Sequence, residues 1–342
     1  MEMSGPVKGR HLDGGEYMAT RRSFLKTATA GVAAAAVARG SRLSAQSLTP
    51  IKIGAVVLGD FGVVTPTTVG IQKGYFKQNG LEADLIPFKG GPDLLKGVLA
   101  GAADIGITGA TDPLVFRERG TPIRALCTIV EKNHFTLTVT PKIKRLEDLK
   151  GGTIGVTVVG STTWVFARML ARKMNWDPEK DVRIIGVGGI DAQAAALKRE
   201  ETQAVVFGDA GVVLEAQGLG RVLMRLDELT PKWISLVAYS TDEIIKTRRD
   251  VVQRSLKSIF QGARFCRDNP EESIKIAAKT IDWSEPATKR AYELLRPLLS
   301  LDGRMDLDAM KFMQDTLLEL GVLKTRLPLS DHYTPEFTPV KL

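Results

Sequence analysis

Hydrophobic and polar positions are grouped along this chain in blocks that predict short buried strands followed by amphipathic helices. Residues 51–58 and 153–159 are short runs of apolar and β-branched residues, which are typical of buried strands. Many such runs end in a turn that contains glycine, after which apolar residues recur at helical spacing. This order predicts an α/β protein in which helices connect the strands.

Residues 153–170 are the stretch that is most informative about function. Gly160 breaks the predicted strand, and Ser161, Thr162 or Thr163 can cap the helix that follows by accepting a hydrogen bond from a free backbone N–H. A helix that begins in this way presents unpaired N–H groups and the positive end of its dipole, which suit an anion. Capping alone would also explain these hydroxyl groups, so both interpretations stay open.

A second strand–turn–helix edge is predicted at residues 104–113, where Thr111 or Asp112 caps a helix that Pro113 opens. Residues 99–113 and 197–210 follow the same order of helix end, polar turn, apolar strand, glycine-led loop and helix. The match is one of pattern and not of residue identity. It predicts two copies of one β/α half-domain, and 342 residues suit two lobes better than a single core.

The boundaries of the two lobes are predicted from the strands that cross between them. Pro141 marks the entry into the second lobe, and a strand at residues 233–239 returns to the first. We therefore expect lobe I to comprise residues 46–140 and 234–342, and lobe II to comprise residues 141–233. Helices follow residue 239, and three prolines predict an irregular tail at residues 322–342.

Residues 1–45 have the features of an export signal. Residues 20–26 (TRRSFLK) resemble the twin-arginine motif, and an alanine-rich apolar run of twelve residues follows. Ala45 fits the last position of a processing site, and no cysteine precedes Cys127 that could carry a lipid anchor. The prediction is a protein exported to the periplasm through the twin-arginine pathway and not anchored by lipid.

Charge and cysteine content narrow the classes of function. The formal net charge is +8, and cleavage after Ala45 removes seven basic and three acidic residues, which leaves +4. No dense stripe of Lys and Arg interleaved with aromatics is present, so we expect no nucleic-acid partner. Cys127 and Cys266 are expected to be buried and unpaired, although an oxidising compartment would permit a disulfide.

Several short motifs occur in order along the chain: KGYF and NGL at 73–76 and 79–81, LAGAAD at 99–104, EDLKG at 147–151 and NPEE at 269–272. Over roughly residues 50–325 they resemble the extracytoplasmic solute-binding proteins of ABC importers, in the family that takes nitrate, sulfonate, taurine and thiamine-pyrimidine precursors. The resemblance implies a type II periplasmic-binding-protein fold, with a β-sheet flanked by helices in each lobe and a ligand cleft between the lobes. It also implies a partner permease driven by ATP.

The candidate ligand residues lie where predicted strands give way to helices, because ligands of open α/β sheets bind outside the carboxyl ends of strands. Glycines allow close approach of the backbone, hydroxyl groups supply hydrogen bonds, and the aromatic rings could form an apolar wall. Asn133 and His134 are included because they lie near the crossing between lobes. The set is Asp60, Phe61, Gly90, Gly91, Thr108, Thr111, Asp112, Asn133, His134, Ser161, Thr162, Thr163, Trp164 and Asp209.

The sequence favours binding over catalysis. It contains no nucleophile elbow, no P-loop and no paired His/carboxylate motif, and its two cysteines and three histidines do not form a metal-binding pattern. We therefore expect a monomer with no cofactor, no bound metal and no enzymatic activity that delivers a small polar solute to an importer.

The identity of the solute stays open between two classes. Helix N-termini favour an anion such as a sulfonate, nitrate or carboxylate, whereas the acidic residues and aromatics favour a heterocyclic amine such as a thiamine pyrimidine precursor. The anion is the preferred class. A ligand sensor that docks to a membrane receptor and, less favoured, a pyrimidine-synthesis enzyme are the alternatives in other classes.

Overall fold

The structure is a computed structural model, and it describes residues 47–342. The predicted export signal at residues 1–45 lies outside the described residues. The strands are β1 Thr49–Ala55, β2 Leu81–Pro87, β3 Ile105–Gly109, β4 Ile123–Val130, β5 Thr136–Val139, β6 Thr153–Val156, β7 Arg183–Gly186, β8 Ala204–Phe207, β9 Arg221–Arg225 and β10 Leu236–Thr241.

Helices follow most of these strands and then dominate the last third of the chain. They are α1 Phe61–Gln72, α2 Tyr75–Gln78, α3 Gly91–Leu99, α4 Thr111–Glu118, α5 Thr162–Lys173, α6 Ile190–Lys198, α7 Ala210–Ala216, α8 Asp242–Thr247, α9 Arg249–Asp268, α10 Pro270–Ile281, α11 Glu285–Leu295, α12 Leu307–Glu319 and α13 Leu329–His332. Short 3-10 turns occur at Leu146–Leu149, Leu226–Leu229, Arg296–Leu298 and Pro335–Phe337.

The strands form two five-stranded sheets with the same topology. The first sheet has the order β2-β1-β3-β10-β4 and the second has the order β7-β6-β8-β5-β9. In each sheet one strand runs antiparallel to its neighbours, β10 in the first and β5 in the second. Strands β1 to β4 therefore correspond to β6 to β9, which gives the two-lobed α/β fold expected from the repeated sequence pattern.

The chain crosses between the sheets earlier than the sequence suggests. Residues Thr136 to Val139 pair with β8 and β9 of the second sheet, so the crossing precedes Thr136 and does not lie at Pro141. The apolar run of β5 alone carries no signal for which sheet it joins, because that choice depends on partners far along the chain. The return crossing precedes β10, which pairs with β3 and β4.

Helix α9 shows how the long C-terminal helices are held against the first sheet. Its apolar face at Val252, Leu256, Ile259, Ala263 and Cys266 is buried, as its three- and four-residue spacing predicts. The helix also packs closely on α1, because a Cβ added at Gly262 would lie 2.0 Å from the carbonyl oxygen of Pro66.

Both cysteines agree with the prediction, since Cys127 and Cys266 are buried and free. Burial raises the pKa of each thiol to about 12, so neither is a reactive thiolate.

The structure shortens one predicted strand and adds local detail that the sequence pattern does not give. Helix α1 begins at Phe61 and is capped by Asp60, whose Oδ1 accepts from the Val63 N–H at 3.1 Å. Strand β6 ends at Val156, where its pairing with β7 ends, and Val159 is 58% exposed. Strand β9 was not predicted from the sequence.

Candidate functional site

A small closed cleft lies where the carboxyl ends of strands from both sheets face each other. Its volume is about 30 Å³, which is room for little more than water, because small-molecule sites usually span roughly 300 Å³ or more. It is lined by Val56, Val57, Asp60, Val63, Gly91, Thr108, Gly109, Asp112, Phe135, Thr157, Ser161, Thr162, Thr163, Phe207, Gly208 and Leu236. The two lobes are therefore closed on one another.

Asp112, in the first turn of α4, caps a helix of the opposite lobe. Its Oδ1 accepts from the Thr162 hydroxyl at 3.0 Å, and the Thr162 backbone N–H also donates to this carboxylate. The Thr108 hydroxyl donates to Oδ2 at 2.5 Å from within the first lobe. The Thr111 and Thr162 hydroxyls are also hydrogen bonded to each other across the cleft. The N-terminus of α5 thus already holds a carboxylate.

Asp209 makes the equivalent contact in the opposite direction. It precedes α7 of the second lobe, and its Oδ2 accepts from the Phe61 N–H at the start of α1 at 2.8 Å. The Gly62 N–H donates to the same carboxylate. Because β3 corresponds to β8 and β1 to β6, each lobe places one carboxylate on the other lobe's first long helix. The two caps are therefore equivalent to each other under the same correspondence that relates the two sheets.

His134 connects Asp60 to the second crossing segment. Its Nε2 lies 3.0 Å from Asp60 Oδ2, and its Nδ1 lies 2.6 Å from the Ser235 hydroxyl. Both His134 and Asp60 are buried. Gly208 is required beside them, because a Cβ at this position would lie 2.1 Å from Asp60 Oδ2.

Three hydroxyl groups form a cluster at the start of α5. Thr157, Ser161 and Thr163 are joined pairwise by hydrogen bonds of 2.9 Å, and the Thr157 N–H donates to the Thr163 hydroxyl at 3.0 Å. Hydroxyl groups both donate and accept, so this cluster can adapt to either kind of ligand group.

Burial dominates the electrostatics of the site. Desolvation raises the pKa of Asp112 to about 6, although hydrogen bonds from Thr108, Thr162 and Thr111 oppose the shift. Desolvation, together with the nearby charge of Asp60, raises the pKa of Asp209 well above its usual value. Both carboxyl groups therefore favour the neutral form more than an exposed aspartate does.

The structure brings most of the predicted site residues together but does not place all of them on the cleft. Asp60, Gly91, Thr108, Asp112, Ser161, Thr162 and Thr163 line it. Thr111, His134 and Asp209 contact it through the hydrogen bonds given above. Gly90 lies against Val158 of the other lobe, where a Cβ would come within 2.1 Å of Cγ2.

The three remaining predicted residues have structural contacts. Phe61 is buried with its ring against Tyr292, at 5.7 Å between centroids. Asn133 lies in the segment that crosses between the sheets and holds it in place. Its side chain donates to the Leu226 carbonyl at 3.0 Å and accepts from the Phe135 N–H. Trp164 is half-buried and stacks under Arg168. Of these three residues, Phe61 alone takes part in the site, through its backbone N–H to Asp209 and not through its ring.

Sequence reasoning missed several lining residues. The apolar run predicts Thr157 to be part of a longer strand, but it is the first residue beyond β6 and lies at the carboxyl end of that strand. Phe135 and Phe207 carry no signal that separates a cleft wall from a core, because both are ordinary apolar residues of buried segments. Gly109 was recognisable only as a turn residue.

Metal sites and membrane-spanning helices are both absent from residues 47–342. No cluster of three or more His, Cys, Asp or Glu in this range could hold a metal ion. No helix there combines the length and the apolar character needed to cross a membrane.

Several known proteins are similar to this chain in sequence or in fold. A chain from Brucella abortus (strain 2308) that is named a binding protein is 24% identical over 334 residues, which covers 94% of this chain and 99% of that one. The alkanesulfonate-binding protein SsuA from Xanthomonas axonopodis pv. citri, solved bound to MOPS, is 17% identical with a TM-score of 0.70, over 83% of this chain and 96% of that one.

A third similar structure is the ligand-binding component of an ABC-type import system from Staphylococcus aureus, with a TM-score of 0.70 and 15% identity over 84% of this chain and 97% of that one. These names describe binding proteins and not enzymes. The family model for NMT1/THI5-like proteins matches residues 62–273, which is more than half of the chain. With its two-lobed fold and the cleft between its sheets, the chain belongs to the NMT1/THI5-like family.

Proposed function

We propose that the protein captures a small polar solute in the cleft between its lobes and delivers it to an ABC importer outside the cytoplasmic membrane. The observation that carries this proposal is the meeting of buried polar groups from both lobes at the carboxyl ends of equivalent strands. Ligands of open α/β sheets bind at such edges, and hinge closure would surround the solute.

The closed geometry fits a protein that binds by opening and closing. The free volume is too small for a solute, so the lobes must separate before one enters. On opening, Asp112 and Asp209 leave the helices that they cap, and the first turns of α5 and α1 become available. A solute that re-forms these hydrogen bonds would favour closure around itself.

The remaining parts of the proposal concern cellular context. Residues 1–45 would direct export by the twin-arginine pathway, and the mature protein would act as a monomer. The alternative is a ligand sensor that docks to a membrane receptor. Pull-down of candidate permeases and receptors by the solute-loaded protein separates the two, because an importer subunit binds the permease.

The solute class expected from the sequence needs a direct test. The preference for a sulfonate, nitrate or carboxylate rested on helix N-termini, and two of these are capped by Asp112 and Asp209 in the closed cleft. An anion would have to displace both carboxylates. A heterocyclic amine could instead donate hydrogen bonds to them.

The experiment is thermal unfolding against sulfonates, nitrate, carboxylates and aminopyrimidines. A solute at a hundredfold over its dissociation constant should add about 2.7 kcal/mol to the free energy of unfolding. Replacing Ser161 and Thr163 with Ala should weaken this shift, since both line the cleft. The matched control Thr247→Ala removes an exposed hydroxyl at the end of α8 and should not change it. The proposal is contradicted if none of the solutes produces a saturable shift of the unfolding midpoint.

A further inference from the structure

The cleft contains an excess of buried acidic side chains over basic ones. Asp60 and Asp112 line the cleft. Asp209 lies beside Asp60, and the charge of Asp60 helps to raise the pKa of Asp209. Each of the three is no more than 3% exposed. No Lys or Arg is among the lining residues, and among residues 47–342 His134 is the basic side chain that contacts a carboxylate of this group. A protonated His134 would balance one carboxylate at most.

One of these carboxylates also has an unused acceptor. Asp209 Oδ1 is buried and has no hydrogen-bond partner among the described residues, whereas Oδ2 accepts from the Phe61 N–H. Buried polar atoms in folded proteins are normally satisfied, so an orphaned carboxylate oxygen indicates a missing donor. The missing donor is either a proton on Asp209 or a group of the solute.

These observations point away from a simple anion. Burying an anion next to carboxylates that lack cationic partners adds repulsion to the cost of desolvation. A positively charged solute reverses the sign of this interaction and supplies the missing donors. No group of three or more His, Cys, Asp or Glu in residues 47–342 could hold a metal ion, so an organic cation fits the cleft better.

We propose, on the basis of the solute-binding function above, that the solute is a nitrogen cation whose N–H groups pair with the buried carboxylates Asp60, Asp112 and Asp209. An ammonium, an amidinium and a protonated ring nitrogen all fit this description. The hydroxyl cluster of Thr157, Ser161 and Thr163 lines the same cleft and can accept from further N–H groups or donate to an acidic group elsewhere on the solute. A zwitterion is therefore accepted, whereas a bare anion is not.

The test compares small probe ions that differ mainly in charge. Ethylammonium, ethanesulfonate and nitrate are titrated up to tens of millimolar at constant ionic strength, and saturable shifts of the unfolding midpoint are recorded. Ethylammonium should stabilise the protein, and the two anions should not. Asp60→Asn and Asp112→Asn should each weaken the apparent affinity for ethylammonium by about tenfold. Asp84→Asn, at an exposed position of β2, should leave that affinity unchanged.

Circular dichroism of each variant establishes that it is folded, and Asp209→Asn provides an independent third variant. The inference is overturned if ethylammonium has no saturable effect, if its effect is equal in the Asp60, Asp112 and Asp84 variants, or if an anion alone stabilises the protein. Saturable binding of an anion would overturn this inference while supporting the solute-binding function. The absence of binding by any solute of the broader panel would instead contradict that function.

Discussion

Asp112 is a titratable residue that also connects the two lobes, because its carboxylate accepts hydrogen bonds from the start of α5 in the other lobe. Four hydrogen bonds reach its carboxylate, yet burial still raises its pKa to about 6. A carboxyl group whose pKa rises on folding holds its proton more tightly in the native state than in the unfolded chain. Its contribution to stability is therefore fully present below its unfolded pKa of about 3.8 and is lost as the pH rises through about 6.

This titration gives the first prediction at the residue scale. The free energy of unfolding should fall between pH 4 and pH 7 by up to about 3 kcal/mol more in the native protein than in Asp112→Asn. The comparison isolates Asp112, because the other carboxyl groups titrate in both proteins. Urea denaturation at a series of pH values measures it. Parallel pH profiles for the two proteins would show that Asp112 has an ordinary pKa.

The residues of the site were partly predictable from the sequence. Asp60, Asp112 and Asp209 each stand next to a predicted helix start, which is enough to select them as candidates. Only Asp60 caps its own helix. Asp112 and Asp209 cap helices that lie 50 and 148 residues away in sequence, and such pairings depend on how the two lobes face each other. Local sequence patterns contain no information about that contact.

At the scale of elements, the turn after β3 sets how closely the lobes approach. Gly109 ends this strand, and a Cβ there would lie 2.1 Å from the Thr162 hydroxyl oxygen of α5. The backbone of the first lobe therefore needs glycine at this position to come close to the second.

This contact predicts that Gly109→Ala holds the cleft partly open. The added methyl group should cost about 1 to 3 kcal/mol of the free energy of unfolding. It should also weaken solute binding several-fold, because closure contributes contacts to the bound state. Gly189→Ala is the matched control, since its Cβ would meet nothing within 4 Å. Equal affinities in both variants, measured by calorimetry, would mean that Gly109 has no part in closure.

Elements were predicted best where their patterns are local and strong. Strand β3 and the apolar face of α9 agree with the sequence expectation, because a short apolar run and helical spacing are properties of single segments. Strand ends were less accurate, as in β6, where the apolar run continues past the last residue paired with β7. Pairing with a neighbouring strand, and not hydrophobicity, decides where a strand ends.

At the scale of the molecule, the repeated fold explains the reciprocal contacts. Two sheets of equal topology face each other, so a cap made by one lobe has an equivalent made by the other. In the proposed function, each cap breaks when the lobes separate and its groups become available to the solute. Opening and solute exchange would then be linked through the same groups.

The measurement that tests this account most directly is solute binding by a protein whose lobes are locked together. Gly59 follows β1 and Ile190 begins α6, and a Cβ built on Gly59 lies 3.2 Å from the Ile190 Cβ. This separation is slightly below the usual range of about 3.5–4.5 Å for a disulfide. The native cysteines are buried and should not interfere. Gly59→Cys with Ile190→Cys can therefore close the cleft reversibly.

The account predicts that the oxidised variant loses the saturable thermal shift produced by its solute, and that reduction restores it. The unchanged chain treated with the same oxidant is the control and should keep the shift. If the oxidised, cross-linked variant still binds the solute with the affinity and rate of the reduced form, the binding site lies outside the cleft and the central claim is wrong.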